Sequence, residues 1–374
     1  MIVPGATIGV LGGGQLGRMF AMAARNMGYR VRALDPSPHA PARPVVDKLI
    51  VGALDDVAAA SRLVSRCDVV TVEIENIATD ALAAVERVAP LRPSPSVLAT
   101  VRDRATQREW LQANGFPQGP FETCTTGLDR AAVLAMGPGC IAKVAVGGYD
   151  GRGQLPPDLL ATDHPAWTTG RFVVEQRLTL DREISVLVAR SPSGAVSVFP
   201  PALNHHERGV LAWSVLPAPI EPALAVRAQE LARAIAEALD VVGLLCVELF
   251  VVGGELLVNE LAPRPHNSYH GSERGLVTSQ FEQHVRAICD LPLGSTDVIV
   301  PTAIANLLGE RWEPSAPDFG AALLDPNVRV HLYGKATART GRKMGHLSAV
   351  GATGDEALKR VLDAAGRLDA WLKR

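Results

Sequence analysis

Residues 243–268 read GLLCVELFVVGGELLVNELAPRPHNS, two apolar, β-branched runs on either side of Gly253-Gly254. That is the pattern of a β-hairpin. Glu248 on the first run and Glu260 on the second are an even number of positions apart, so a three-residue loop from Gly253 to Glu255 sets the two carboxylates opposite each other on one face. Like charges at that range raise one pKa and call for a cation, and oxygen donors select a hard divalent ion, Mg²⁺ or Mn²⁺. Asn259 can add an amide oxygen. Arg264, His266 and Asn267 follow at once, a group of donors suited to a small oxyanion beside the metal. The same residues also fit an exposed hairpin whose glutamates simply face water.

A chain of 374 residues exceeds what one hydrophobic core supports and predicts two or three domains. A net charge of −2 gives no electrostatic reason to expect nucleic acid or an acidic membrane as partner. The five cysteines form no CxxC pair, which points to reduced thiols in a cytoplasmic protein and away from structural zinc. No basic leader and no run of roughly 18 uncharged apolar residues is seen, so no export or membrane segment is expected.

Residues 6–11 form a short apolar run, followed by Gly12-Gly13-Gly14-Gln15-Leu16-Gly17, a helical pattern ending at Gly28, and a second strand ending at Asp35. This βαβ opening places free N–H groups and a helix dipole where they favour phosphate. It fits GxGxxG with a following acid, so a nicotinamide oxidoreductase is one reading, while a mononucleotide or tight helix–strand packing is another. Strands over 45–51 and 68–72 continue the alternation and predict a parallel sheet, with Glu73 and Glu75 at a strand end where either can meet ribose hydroxyls or an exocyclic amine. After the proline-rich 90–95, Asp103 caps a helix over Arg104–Ala113.

A strand over 140–144 carries Lys143, and Gly147-Gly148-Tyr149-Asp150-Gly151-Arg152-Gly153-Gln154 follows as a flap able to lie over a polyphosphate. A surface hairpin is the plainer alternative. The strand 171–175 leads through Glu175 to Gln176, Arg177 and Leu178, a strand end suited to adenine and ribose, and the next strand contains Glu183. Asn204-His205-His206-Glu207 reads as a polar loop near the nucleotide, since no third ligand stands at a zinc spacing. A helix over 221–239 has a 3.6-period stripe (Leu224, Ala228, Leu231, Ile235, Leu239) that belongs to the core, and helices over 277–291 and 355–372 are expected. Lys335 and Arg342 flank a turn; they can clamp a phosphate or merely face solvent.

GGGQLGRM, TVEIENI, DRATQ, GGYDGRGQ, NELAPRPHNS and GRKMGH occur in the order seen in the 5-(carboxyamino)imidazole ribonucleotide synthase family of ATP-grasp ligases, which this chain resembles over nearly its whole length. The resemblance implies an α/β and α+β architecture: a Rossmann-like pre-ATP-grasp parallel sheet (1–101), a central ATP-grasp domain (102–296) and a small β-rich C-terminal domain (297–374). It implies ATP contacts at Arg104, Lys143, the flap from Gly148 to Gln154, Glu175, Gln176, Arg177, Leu178, Glu183, His206, Asn259 and Glu260, and a metal on Glu248 and Glu260. Bicarbonate and then carboxyphosphate would meet Arg264, His266, Asn267 and Tyr149. The ribonucleotide would rest on Gln15, Leu16, Glu73 and Asp150, with its phosphate on Lys335 and Arg342. A cytoplasmic homodimer is also implied. A related ATP-grasp enzyme using formate or carboxylating biotin would share the middle domain only. Val144-Ala145-Val146, where polar residues are expected, and Tyr269-His270-Gly271, where Gly-His-Trp is expected, depart from the pattern.

Overall fold

A computed structural model describes residues 1–148, 153–155, 164–313 and 315–371. Four parallel strands, β1 (Thr7–Leu11), β2 (Arg30–Asp35), β3 (Lys48–Val51) and β4 (Val69–Val72), form the N-terminal sheet in the order β3-β2-β1-β4. Continuous apolar runs place both sheet faces under cover. The helix Gln15–Asn26 packs with Gln280–Cys289 on one face, and Val57–Val64 with Thr79–Glu86 covers the other. A helix that follows the glutamate hairpin in the chain thereby closes the N-terminal core.

A second sheet is antiparallel, in the order β5-β8-β6-β7, from β5 (Phe121–Cys124), β6 (Ile141–Val144), β7 (Gln154–Leu155) and β8 (Phe172–Glu175). The third contains β9 (Arg182–Arg190), β10 (Val196–Val198), β11 (Ala202–Glu207), β12 (Val210–Leu216), β13 (Gly243–Val252), β14 (Glu255–Ala262), β15 (Thr302–Leu308), β16 (Val328–Leu332) and β17 (Lys343–Val350). Its order is β14-β13-β9-β11-β12-β15-β17-β16, with β10 on β9. The three C-terminal strands thus extend the sheet that carries the glutamate hairpin, through β12 and β15.

The helix Pro222–Ala238 lays Ala228, Ala232, Ile235 and Ala236 against Val186, Leu245 and Val247, while Leu224 and Leu231 of the expected stripe are only partly buried. Two expectations need correction. Residues 204–207 are not a loop but the end of β11, whose alternation turns Asn204 inward and leaves His205 exposed. The helix placed at 277–291 runs only over Gln280–Cys289, because the Ser279 side chain accepts the Glu282 N–H and starts it there.

Ile235 is fully buried between helix and sheet. Ile235→Ala is expected to lower the unfolding free energy by about 2–5 kcal/mol, read by urea denaturation; a loss under about 1 kcal/mol would mean that this helix is not a core layer.

Candidate active site

The hairpin turn is Gly253-Gly254 alone, with Val252 opposite Glu255 and a regular register as far as Leu249 opposite Val258. Carried on, that register would set Glu248 against Asn259 and turn Glu260 to the other face. A β-bulge intervenes, adding Asn259 to β14, and Glu248 stands directly opposite Glu260. The facing carboxylates are as expected, but the bulge creates them, not a three-residue loop.

Glu248 accepts from Asn259 Nδ2 at 3.1 Å, and its Oε1 lies 3.1 Å from His266 Nε2. Burial works to raise its pKa, yet His266, His206 and Asn259 together hold it down to about 2. Burial pushes Glu260 up, Arg104 at 3.7 Å opposes this, and the charges of Glu248 and Glu75 add to the rise. A carboxylate held ionised beside one whose ionisation burial and like charges oppose suits a divalent cation. Among the described residues no three His, Cys, Asp or Glu converge as a complete metal site. The two glutamates therefore fit an ion that brings other oxygens with it, as Mg²⁺ does on nucleotide phosphates.

Lys143 on β6 reaches Glu175 at the end of β8, with Nζ 2.5 Å from Oε2. Arg108 donates to the other oxygen from Nε at 2.9 Å and Nη2 at 2.7 Å, and to the Val258 carbonyl at 2.7 Å. Burial alone would raise Glu175, but the two cations outweigh it and hold the carboxyl at about 2. Arg108 is a residue the sequence reading missed; its i,i+4 spacing from Arg104 on the same helix was the available signal. Arg104 donates to the carbonyls of Val144 (3.2 Å) and Gly148 (2.7 Å), at the root of the flap. The 144–146 segment thus meets Arg104 through the Val144 and Ala145 carbonyls, and it carries no polar side chain. Gly153 and Gln154 close the flap base against Val144 and Lys143, while Tyr149, Asp150, Gly151 and Arg152 lie outside the described residues. Gln176 and Arg177 are exposed and Leu178 half-buried on the link from β8 to β9. Glu183 lies 2.6 Å from His206 Nδ1, and although burial opposes it, that contact raises the imidazole pKa.

On the anion side, Arg264 is bidentate to Glu75, at 2.6 Å from Nε and 3.3 Å from Nη2. Glu75, expected at ribose hydroxyls or an exocyclic amine, instead positions Arg264. His266 is gripped by Gln280 through both its N–H (2.7 Å) and its carbonyl (2.9 Å). Among the described residues neither atom of the buried Asn267 amide has a hydrogen-bond partner. An orphaned buried amide at this point is a ready anion donor.

At the N-terminal sheet, the amides of Gly14 and Leu16 donate to Glu73, and Gly13 donates to Asp35 Oδ2 at 2.9 Å. Any Cβ at Gly14 would strike the Glu73 carboxylate. The Glu73 carboxylate takes up the turn amides that a dinucleotide's pyrophosphate requires, which argues against the nicotinamide reading. Gln15 is half-buried at the start of the helix. Gly334, next to Lys335, comes up to the same helix, where Arg18 Nη1 lies 4.0 Å from the position of a Cβ. Lys335 Nζ donates to the Lys343 carbonyl at 2.6 Å, and Arg342 Nη1 to the Thr337 carbonyl at 2.8 Å.

Residues 5–102 match the ribonucleotide synthetase preATP-grasp domain, 109–281 the ATP-grasp domain, and 302–360 the phosphoribosylaminoimidazole carboxylase C-terminal domain. The N5-carboxyaminoimidazole ribonucleotide synthase of Bacillus subtilis is 38% identical, covering 100% of this chain and 97% of its own. The chain belongs to the N5-carboxyaminoimidazole ribonucleotide synthase family. That of Brucella melitensis is 40% identical over 93% of this chain and 97% of its own. The Aspergillus clavatus enzyme, solved with ADP and 5-aminoimidazole ribonucleotide, superposes with a TM-score of 0.88 at 29% identity, covering 98% of this chain and 99% of its own. Like its family, the chain is an ATP-dependent ligase of purine biosynthesis.

Because Glu175 titrates below its ordinary 4.5 in the fold, its pairing stabilises above that value and is lost as pH falls towards about 2. Glu175→Gln should therefore give an unfolding free energy that falls less steeply than wild type across that window; equal slopes would remove the Lys143–Glu175–Arg108 cluster.

Proposed function

We propose that this site joins bicarbonate to the exocyclic amine of 5-aminoimidazole ribonucleotide, with ATP converted to ADP and phosphate. The reading is carried by one juxtaposition: the Glu248–Glu260 pair beside the unpartnered Asn267 amide. Glu248 and Glu260 would hold Mg²⁺, which when bound offsets charge on the transferring phosphoryl group. Lys143, Arg104 and the flap from Gly148 to Gln154 hold the polyphosphate. The link at Glu175, Gln176, Arg177 and Leu178, with Glu183, His206 and Asn259, holds the nucleoside.

Arg264, His266 and Asn267, with Tyr149, orient bicarbonate so that its oxygen attacks the γ-phosphorus and ADP leaves. The resulting carboxyphosphate is short-lived in water, and closure of the flap excludes solvent from it. The amine, held by Gln15, Leu16, Glu73 and Asp150, then bonds to the carbon of carboxyphosphate or of the CO₂ it releases; phosphate leaves and the nitrogen gives up a proton. Lys335 and Arg342 fix the ribonucleotide phosphate. A domain division at 101 and 296, a homodimer and a cytoplasmic location complete the proposal. Among the described residues no helix is long and apolar enough to cross a membrane.

A product assay with ATP, bicarbonate and ribonucleotide omitted in turn tests the reaction, and product formed without bicarbonate would contradict it. Glu260→Ala should abolish ADP release in a folded protein, whereas unchanged turnover removes the metal assignment. Lys335→Ala and Arg342→Ala should chiefly raise the KM for ribonucleotide; a rise for ATP alone would move the clamp elsewhere.

A further inference from the structure

His346 of the GRKMGH motif is fully buried and lies outside the assigned site. Its ring is sandwiched between two other imidazoles. His331 of β16 lies 4.3 Å away at 8°, and His270, on the loop that follows Asn267, lies 4.7 Å away at 15°. Burial keeps His346 and His270 neutral, with pKa values well below the usual one. Burial, with Arg274 and Arg329 nearby, lowers His331 to about 4, so at neutral pH the stack is three uncharged rings. His346 Nδ1 shares a 2.9 Å hydrogen bond with the Tyr333 hydroxyl, while its Nε2 has no partner. A phenylalanine would stack as well without the burden of that nitrogen, so packing alone does not explain a histidine here.

The contacts form an unbroken path. Lys335 Nζ stands 5.7 Å from the centre of the Tyr333 ring, and the Tyr333 N–H is bonded to the Met344 carbonyl, so both arms of the clamp turn are tied together. Tyr333 holds His346, and His346 stacks on His270. His270 Nδ1 is 3.3 Å from Gln280 Nε2, and Gln280 grips His266 through both backbone groups. At its far end His266 meets Glu248. We propose that the Tyr333–His346 hydrogen bond is a positioning device which sets the ribonucleotide clamp against the bicarbonate loop, so that phosphoryl transfer proceeds with the amine in register. This rests on the assignment of Lys335 to the ribonucleotide phosphate and of His266 and Asn267 to bicarbonate.

Tyr333→Phe and His346→Phe each break the bond and leave its other partner buried and unpaired, so each lowers the thermal midpoint. The double variant removes both partners and regains it. If the bond positions substrate, both single variants and the double show a ribonucleotide KM raised roughly tenfold. Their KM for ATP stays at the wild-type value, and fewer ribonucleotides are carboxylated per ADP released. A double variant that regains wild-type KM and coupling along with its midpoint would overturn the proposal and leave the bond a purely structural one. Lys335→Ala separates the two layers. If it leaves the ribonucleotide KM unchanged, the clamp assignment fails; if it raises that KM while both single Phe variants behave as wild type, the positioning role alone is refuted.

Discussion

Two carboxylates facing each other on a half-buried strand pair are unfavourable unless something positive is brought between them, and the rest of this fold is arranged around that demand. The bulge at Asn259 creates the opposition by shifting β14 one residue against β13. The surrounding donors divide unequally. Among the described residues His266 and Asn259 bond Glu248, whereas Glu260 meets Arg104 at 3.7 Å and the charge of Lys143 at longer range. One acid is thus held ionised by the protein and the other is left in want of a cation, an arrangement suited to a metal that arrives with its nucleotide.

Around that pair, cations are held by acids in advance of any ligand. Lys143 and Arg108 share Glu175, and Arg264 is clamped by Glu75. Pairing of this kind fixes side chains that would otherwise sample many rotamers, so that part of the ordering cost of binding is met in the fold. Glu73 does the same for backbone donors at the glycine turn. An anion-binding helix terminus thereby becomes a presented carboxylate suited to a sugar or an amine, which is why the GxGxxG pattern here does not signify a dinucleotide.

Much of this was legible in the chain. The parallel N-terminal sheet follows from apolar runs alternating with helical stripes, and the hairpin from two β-branched runs around Gly253-Gly254. The bulge was not, because its trace is the adjacent polar pair Asn259-Glu260, which reads as two site residues rather than as a break in the period of two. Nor was the strand character of 204–207, where two histidines and a glutamate mask a period of two. Arg108 was missed because its partner Glu175 is 67 positions away. The departure from the family pattern at 269–271 resolves structurally. A Cβ at Gly271 already meets Thr302 Oγ1 at 2.5 Å, so no tryptophan fits there, and Tyr269 instead fills the core, donating to the Ser185 carbonyl at 2.9 Å.

The most direct measurement of the central claim is electron paramagnetic resonance of Mn²⁺–ADP titrated into the wild-type protein and into Glu248→Gln and Glu260→Gln. The account predicts a bound-manganese signal in the wild type that either substitution abolishes while the protein stays folded. A wild-type signal retained by either variant would contradict it.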